Sequence, residues 1–359
     1  MVGFKMEKLK VFTAFSGYDS QCLGLERLKE YCPEFDYELV GWSEINNHAI
    51  KAHNALFPQY ADMNYGDISK VNWDEVPDFD LFTYSSPCTD FSSAGKQQGG
   101  VEGSGTRSSL LWECKRCIDA KRPKYLLFEN VSAILQSKFI DMFHKWITTV
   151  QSFGYDSQYK ILNSRDFGIP QNRDRIFLIS IRQDLNQKIY FPASTNESIH
   201  LYDILCPETE VPVYTKRTNK KLKHYMELNK DAISKLETGN YGNDEYDVIP
   251  CGMYCHASDN FNSGPMFDCS RTLKAEMIDA GIIYKKNGKW YERLLCNKEL
   301  YRLMGVRDDE YEKISQAVTK TGQAKCAGNS IVVNVLFHLF RKMLIDNKEP
   351  DKNMSNVLF

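Results

Sequence analysis

The sequence predicts an α/β fold, a doubly wound and mostly parallel sheet, with a second, smaller and irregular domain. Three observations carry this reading. Short apolar runs alternate with helical patterns through the first half of the chain. Each run stops at small or polar residues, as strands do at their carboxyl ends. The alternation then fails from about residue 183 onward. In order, residues 11–15 form the first run, broken at Ser16-Gly17, and Leu23, Leu25 and Leu28 line one side of the helix that follows. Residues 39–42 read as a second strand ending at Ser43-Glu44, with a helix over 49–57. A weaker third segment ends at Asp67-Ile68. Residues 79–84 form a fourth strand stopped by Ser85-Ser86-Pro87, and 125–128 a fifth, between helices around 110–120 and 139–153. A late strand covers 176–181. Beyond it, residues 183–270 are rich in Asn, Lys, Tyr and Ser and carry Lys216-Arg217 and Lys220-Lys221, a locally basic stretch. Residues 292–304 read as a helix, and 328–344 as one strong amphipathic helix opening with Gly-Asn-Ser.

Composition narrows the class. The 359 residues hold 45 basic and 47 acidic side chains, a net charge of −2, which excludes a histone-like polycation but not a local basic groove. Nothing approaches about 18 uncharged apolar residues in a row, so no membrane span is expected. The first residues show no signal-peptide h-region, and eleven cysteines without a secretory signal are expected to be reduced thiols in the cytoplasm. Cys114-x-x-Cys117 falls on a helical pattern, and Cys251-x3-Cys255-His256 has no matching second pair, so no metal site is expected.

In sheets of this kind, ligands bind beyond the carboxyl ends of the strands. The residues there are Gly17, Glu44, Asp67, Cys88 and Glu129. Singly, Gly17 reads as a turn, Glu44 and Asp67 as helix caps and Cys88 as a small core residue. Jointly they place five chemically capable residues where the fold puts its site. The Phe15-Ser16-Gly17 loop leads from strand to helix and can present backbone N–H groups to a ligand, although it is not G-x-G-x-x-G. Glu44 suits ribose hydroxyls and Asp67 an adenine amino group, which describes a nucleoside-type cofactor. Cys88 follows Pro87 at a strand end and precedes a loop rich in Ser and Gly. A thiol needs a positive environment or a partner to act as a thiolate. Glu129 supplies a carboxyl at a neighbouring strand end, and Arg173 and Arg175 supply two guanidinium groups that share a face if extended. This set suits a substrate attacked by a nucleophile, protonated on one edge and held at a carbonyl.

These residues resemble, in motif order and over nearly the whole chain, the cytosine-C5 DNA methyltransferases. The match comprises Phe15-Ser16-Gly17, Glu44, Gly66-Asp67-Ile68, Pro87-Cys88 followed by Phe91-Ser92, Glu129-Asn130-Val131 and Gln171-x-Arg173-x-Arg175. It continues through Arg271-Thr272-Leu273, the helix ending Leu303-Met304-Gly305, and Gly328-Asn329-Ser330.

The resemblance implies a Rossmann-like methyltransferase fold and S-adenosylmethionine as cofactor, leaving as S-adenosylhomocysteine. It places that cofactor against Phe15, Ser16, Gly17, Glu44, Ile45, Asp67, Ile68, Pro87 and Leu110, with Asn329 and Ser330 returning from the C-terminal part. It assigns catalysis to Cys88, Glu129, Arg173 and Arg175: Cys88 attacks C6 of a cytosine turned out of the duplex, Glu129 holds N3, Arg175 binds the O2 edge, and Arg173 supports the catalytic loop or a phosphate. It implies contacts to double-stranded DNA from Ser92, Gln171, Thr272 and Leu273, with Lys216, Arg217, Lys220 and Lys221 on phosphates. Domains are expected at 1–184 completed by 321–359 (catalytic and cofactor-binding), 185–292 (target recognition) and 293–320 (connecting helix), so that the chain crosses between domains twice. A monomeric prokaryotic or phage enzyme is expected, with a restriction endonuclease as a possible companion. Tyr18 and Asp19 depart from the family's glycine-rich first loop, and Thr89 stands where Gln is common. The alternatives are a transfer-RNA cytosine methyltransferase, whose motif carries Thr where Ser92 stands, a nucleotide-cofactor oxidoreductase, and a non-catalytic DNA-binding relative.

Overall fold

The computed structural model describes residues 7–87, 107–195, 197, 199–211, 219–254, 264–275 and 280–347. The elements begin with β1 (Leu9–Ala14), α1 (Ser20–Tyr31), β2 (Tyr37–Ser43), α2 (Asn47–Leu56), β3 (Leu81–Tyr84) and α3 (Glu113–Lys121). Next come β4 (Tyr125–Val131), α4 (Ile140–Ser152), β5 (Tyr155–Asn163), β6 (Gln171–Asn172) and β7 (Asp174–Arg182). Then α5 (Asn219–Leu228), α6 (Lys230–Thr238), β8 (Val248–Tyr254), β9 (Met266–Phe267), β10 (Ser270–Arg271), β11 (Ala280–Lys286) and β12 (Lys289–Leu294) follow. Helices α7 (Asn297–Arg302), α8 (Asp308–Ala317), α9 (Lys320–Asn329) and α10 (Val333–Phe340) close the sequence of elements.

Two compact units divide the chain. The first comprises Met1–Asn163, Asp174–Ser194 and Val333–Phe359, and the second Ser164–Arg173 and Thr195–Val332. The first unit carries a six-stranded sheet in the order β2-β1-β3-β4-β7-β5. Strands β2, β1, β3 and β4 are parallel, and β7 and β5 are antiparallel to their neighbours. Every residue of β3 is buried, as are the central residues of β4 and β7. Strands covered on both faces read as continuous apolar runs, which is why the sequence reveals them. From β1 the chain moves outward to β2, then returns to β3 on the other side of β1. The connections leaving β1 and β3 therefore diverge, which marks the switch point where open α/β sheets hold ligands.

Two expectations about this unit need correcting. Strand β5 has no counterpart in the sequence reading: it is an edge strand with Asp156, Gln158 and Ile161 exposed, and a strand wetted along one side produces no apolar run. The weaker segment ending at Asp67-Ile68 is not a strand. It consists of a short 3₁₀ helix at Pro58–Met63 and a 3₁₀ turn at Ile68–Lys70, with one bridge between Asn64 and Trp42.

The terminal helix packs on α1 because Gly24 has no side chain. A Cβ there would stand 2.9 Å from Leu336 Cβ and 3.3 Å from the Phe340 ring.

The second unit contains an antiparallel sheet in the order β12-β11-β8-β9. Tyr225, Ile233 and Leu236 of α5 and α6 pack with Cys251, Met253 and Ile283 of the sheet. The expected helix over 292–304 is in fact the end of β12, paired with β11, followed by α7, whose first turn is closed by Glu299 accepting the Cys296 N–H at 2.8 Å. The expected single helix over 328–344 is also two. Gly328 and Asn329 finish α9, Ser330 caps it, and α10 begins at Val333.

The domain boundaries differ accordingly. Residues 293–320 belong to the second unit rather than forming a separate connector, the return to the first unit falls at Val333 instead of 321, and 164–173 joins the second unit, giving four passages between units. Arg173 and Gln171 supply the physical reason. The Arg173 guanidinium donates to the carbonyl oxygens of Leu273 (2.9 Å), Gly328 (3.0 Å) and Ser330 (2.6 Å). Gln171 donates to the Leu303 carbonyl at 2.8 Å and accepts the Leu273 N–H at 3.0 Å. Close approach at Gly328 makes this possible, since a Cβ there would lie 2.6 Å from the Ala275 nitrogen.

Two outcomes follow. Gly24→Val should lower stability by about 1–3 kcal/mol through overpacking, measured by urea denaturation; an unchanged midpoint would contradict the close helix contact. Arg173→Lys retains the charge but loses the planar fork, leaving buried carbonyls unsatisfied. A loss of about 2–4 kcal/mol is expected, and wild-type thermal stability in that variant would refute the anchoring role.

Candidate active site

The loop after β1 has little conformational latitude. Phe15, Gly17 and Asp19 all have positive φ (54°, 61° and 66°), a region that favours glycine and tolerates Asp. The Gly17 N–H donates to Glu44 Oε2 at 2.9 Å, while Glu44 Oε1 accepts the N–H groups of Ile45 and Asn46, both at 2.8 Å. One carboxylate thus joins the end of β1 to the end of β2. Asn64 adds a third segment: its amide donates to the Glu44 carbonyl at 3.1 Å, and its Oδ1 accepts the N–H groups of Glu44 (3.2 Å) and Gly66 (2.9 Å). Sequence reasoning missed Asn64, whose signal is its position two residues before Gly66-Asp67.

Asp67 caps the following turn through the Ser69 N–H (3.0 Å) and hydroxyl (2.8 Å), which hold its carboxyl below the usual range. Ile68 is buried beneath it. Ile45, next to Glu44, is 68% exposed, an unusual position for a large aliphatic residue. Ser16 is buried, and its Oγ has no hydrogen-bond partner. Carboxylates at two adjacent segments, an exposed aliphatic face and an orphaned hydroxyl form a donor and acceptor set that fits a nucleoside-type cofactor such as S-adenosylmethionine. Phe15, Pro87 and Leu110 are half-buried in the same unit. Asn329 and Ser330 belong to the second unit, where Asn329 is exposed and Ser330 is buried.

The catalytic candidates centre on β4. Glu129 and Asn130 are successive residues of a strand, so their side chains leave opposite faces. The Asn130 amide donates to the Ser86 carbonyl at 3.1 Å, binding the exit of β3, which continues into Pro87, to the end of β4. Glu129 is only 8% exposed, and the Arg175 guanidinium lies 3.1 Å from its carboxylate. The β4–β7 register creates this pair: Val131 faces Arg175 and Glu129 faces Phe177, which makes Glu129 and Arg175 diagonal neighbours on one face. A carboxylate so buried would be costly without such a partner. The site can therefore hold a charged or proton-bearing ring edge against an acid and a guanidinium in a mostly dry setting.

Arg173 and Arg175 do not act as a matched pair, because Arg173 is 3% exposed and committed to three carbonyls of the second unit. Gln171 and Leu273 are buried, and the Leu273 N–H donates to Gln171 Oε1. Thr272 is half-buried and its hydroxyl donates to the Asn172 carbonyl. Cys88, Ser92, Lys216 and Arg217 lie outside the described residues, as do the side chains of Lys220 and Lys221. Cys114 and Cys117 are core residues, burial pushing both thiols well above their ordinary range. Cys206, Cys296 and Glu299 approach one another within 4.8 Å, but both oxygens of Glu299 are held by Arg293 and by the N–H groups of Cys206 and Cys296.

Among the described residues no helix is long and apolar enough to cross a membrane.

The family model for C-5 cytosine-specific DNA methylases matches residues 9–344. The type II methyltransferase M2.ScrFI of Lactococcus lactis is 34% identical, covering 93% of this chain and 99% of its own. The orphan methyltransferase M.SssI of Spiroplasma monobiae is 30% identical, with 94% and 98% covered. Among solved structures, a DNA modification methyltransferase encoded within an E. coli prophage superposes with a TM-score of 0.62 at 22% identity, covering 95% of this chain and 99% of its own. The S. pombe Dnmt2 methyltransferase gives a TM-score of 0.61 at 17% identity, with 95% and 100% covered; both likenesses concern the fold. With its motifs in order and the model matched almost end to end, the chain belongs to the C-5 cytosine-specific DNA methylase family.

Proposed function

We propose that this DNA cytosine-C5 methyltransferase takes S-adenosylmethionine as its methyl donor and works through a covalent bond between Cys88 and C6 of a cytosine rotated out of duplex DNA. The supporting observation is the Asn130–Ser86 hydrogen bond, which fastens the strand leading into Pro87-Cys88 to the strand carrying Glu129. A nucleophile entering from one strand end would thus meet an acid on the next, with Arg175 already against that acid.

The chemistry follows from the poor nucleophilicity of cytosine C5. Attack by the Cys88 thiolate forms a sulfur–carbon bond at C6 and moves an electron pair into the ring, making C5 enamine-like. Glu129 holds a proton at N3 and so neutralises the charge pushed onto that edge. Arg175 orients Glu129 and offers a donor to the neighbouring carbonyl. The bound cofactor supplies an electrophilic methyl group to C5. Loss of the C5 proton to a water molecule, with the N3 proton returning to Glu129, then restores the ring double bond and expels Cys88 as its thiolate. Rotation of the base out of the stack costs a few kcal/mol, which contacts in the closed site must offset.

Glu44, Asp67 and Ile45 are the residues that would hold the cofactor, with the Ser16 hydroxyl and the Gly17 loop beside them. Unit two would supply target recognition through its exposed side chains, and the basic run at Lys216, Arg217, Lys220 and Lys221 would add phosphate contacts. A cytoplasmic monomer serving a bacterial or phage genome, alone or beside an endonuclease for the same site, fits this reading.

Duplex DNA containing 5-fluorocytosine at the target should form a denaturant-stable adduct with the wild-type chain and none with Cys88→Ala, because fluorine cannot leave as the proton does. An active wild-type enzyme that forms no adduct would overturn the covalent route. Glu129→Gln should reduce the single-turnover methylation rate by about 10²–10⁴ while sparing cofactor binding; a rate within a factor of two of wild type would remove Glu129 from the chemistry.

A further inference from the structure

Asp19 breaks the glycine-rich pattern of the first loop, and the mechanism leaves it unused. Its backbone is left-handed, with φ 66° and ψ 56°, and its side chain is wholly buried. A buried carboxylate persists only when its oxygens are satisfied. Oδ1 accepts the Cys22 N–H at 3.1 Å, capping α1. Oδ2 accepts the Thr13 hydroxyl at 2.9 Å and faces His53 Nε2 at 3.5 Å. Thr13 belongs to β1 and His53 to α2, so three elements converge on one carboxylate beneath the loop that carries Gly17.

His53 extends the connection. It is fully buried, and its ring stacks on Trp42 with centroids 3.7 Å apart and planes 20° from parallel. Trp42 is followed by Ser43 and Glu44, and Glu44 in turn accepts the Gly17 N–H. The Asp19 N–H returns to the Ser16 carbonyl at 2.8 Å. The contacts form a closed circuit: Asp19 to His53, His53 to Trp42, Trp42 along β2 to Glu44, Glu44 to Gly17, and Gly17 back to Asp19 through the turn. None of Thr13, Asp19 or His53 is an exposed ligand.

We infer that Asp19, held by the Thr13 hydroxyl and the Cys22 N–H beside the His53 ring, is a positioning residue that presets the β1–α1 loop and Glu44 for S-adenosylmethionine, performing through a buried carboxylate what glycine does elsewhere in the family by conformational freedom. This rests on the cofactor reading above.

The test compares Asp19→Gly, Asp19→Asn and Thr13→Val in the full-length chain, using calorimetric binding of S-adenosylmethionine and steady-state methylation of duplex DNA. Asp19→Gly keeps the left-handed backbone but removes the anchor. It should raise Kd and KM for S-adenosylmethionine at least fivefold, with kcat within twofold and KM for DNA unchanged. Asparagine tolerates the same backbone and can still cap Cys22, so Asp19→Asn should recover most of the affinity. Thr13→Val removes one hydroxyl at nearly constant volume and should move Kd in the same direction by a smaller factor. Variants that bind the cofactor as tightly as wild type, with only melting temperature or kcat reduced, would overturn the inference while leaving the cofactor reading intact. A wild-type chain that fails to bind S-adenosylmethionine would overturn both.

Discussion

A carboxylate nearly closed off from water at the end of a β-strand is an unstable arrangement unless something opposite repays its lost hydration, and at Glu129 that partner is Arg175. Much of the catalytic unit is arranged so that the two can meet. Arg175 is available only because β7 runs antiparallel to β4, a departure from the parallel order of the first four strands. The register then fixes which residue of β7 stands diagonal to Glu129, and a shift by one residue would turn the arginine to the other face. The adjoining Asn130 uses that opposite face to secure the end of β3. Consecutive residues of one strand thus bind Arg175 and the exit of β3.

The cofactor side follows a different logic. There the ends of β1 and β2 are joined mainly by backbone N–H groups converging on Glu44, with Asn64 drawing in the segment before Asp67. Backbone donors are fixed by the fold, so the site is preorganised without long side chains that would have to be ordered. The second unit is also built around an arginine, but to another end: Arg173 meets only neutral carbonyls and acts as a brace between segments distant in sequence.

Much of the catalytic unit was legible because buried parallel strands are apolar throughout and stop abruptly at small or polar residues. Gly17, Glu44 and Glu129 could be placed at or just past strand ends on that basis alone, whereas Asp67 follows a segment that is not a strand. The edge strand β5 escaped detection because only two of its nine residues are buried, and residues 292–304 misled because Leu294 and Leu295 continue an apolar spacing across the boundary between β12 and α7. The internal partners of Gln171 and Arg173 were not legible in the sequence. Their burial depends on acceptors about 100 to 157 positions away, which no local pattern encodes.

Local chemistry along the chain therefore determined the α/β class and most of the buried sheet-forming segments, since each depends on neighbours a few residues apart. Partner choice was settled only when the chain closed on itself: Arg175 with Glu129, Arg173 with three carbonyls, Asp19 with Thr13. Such pairings arise because desolvated charges and hydrogen-bonding groups must find complements within reach, and reach is a property of the folded backbone rather than of sequence distance.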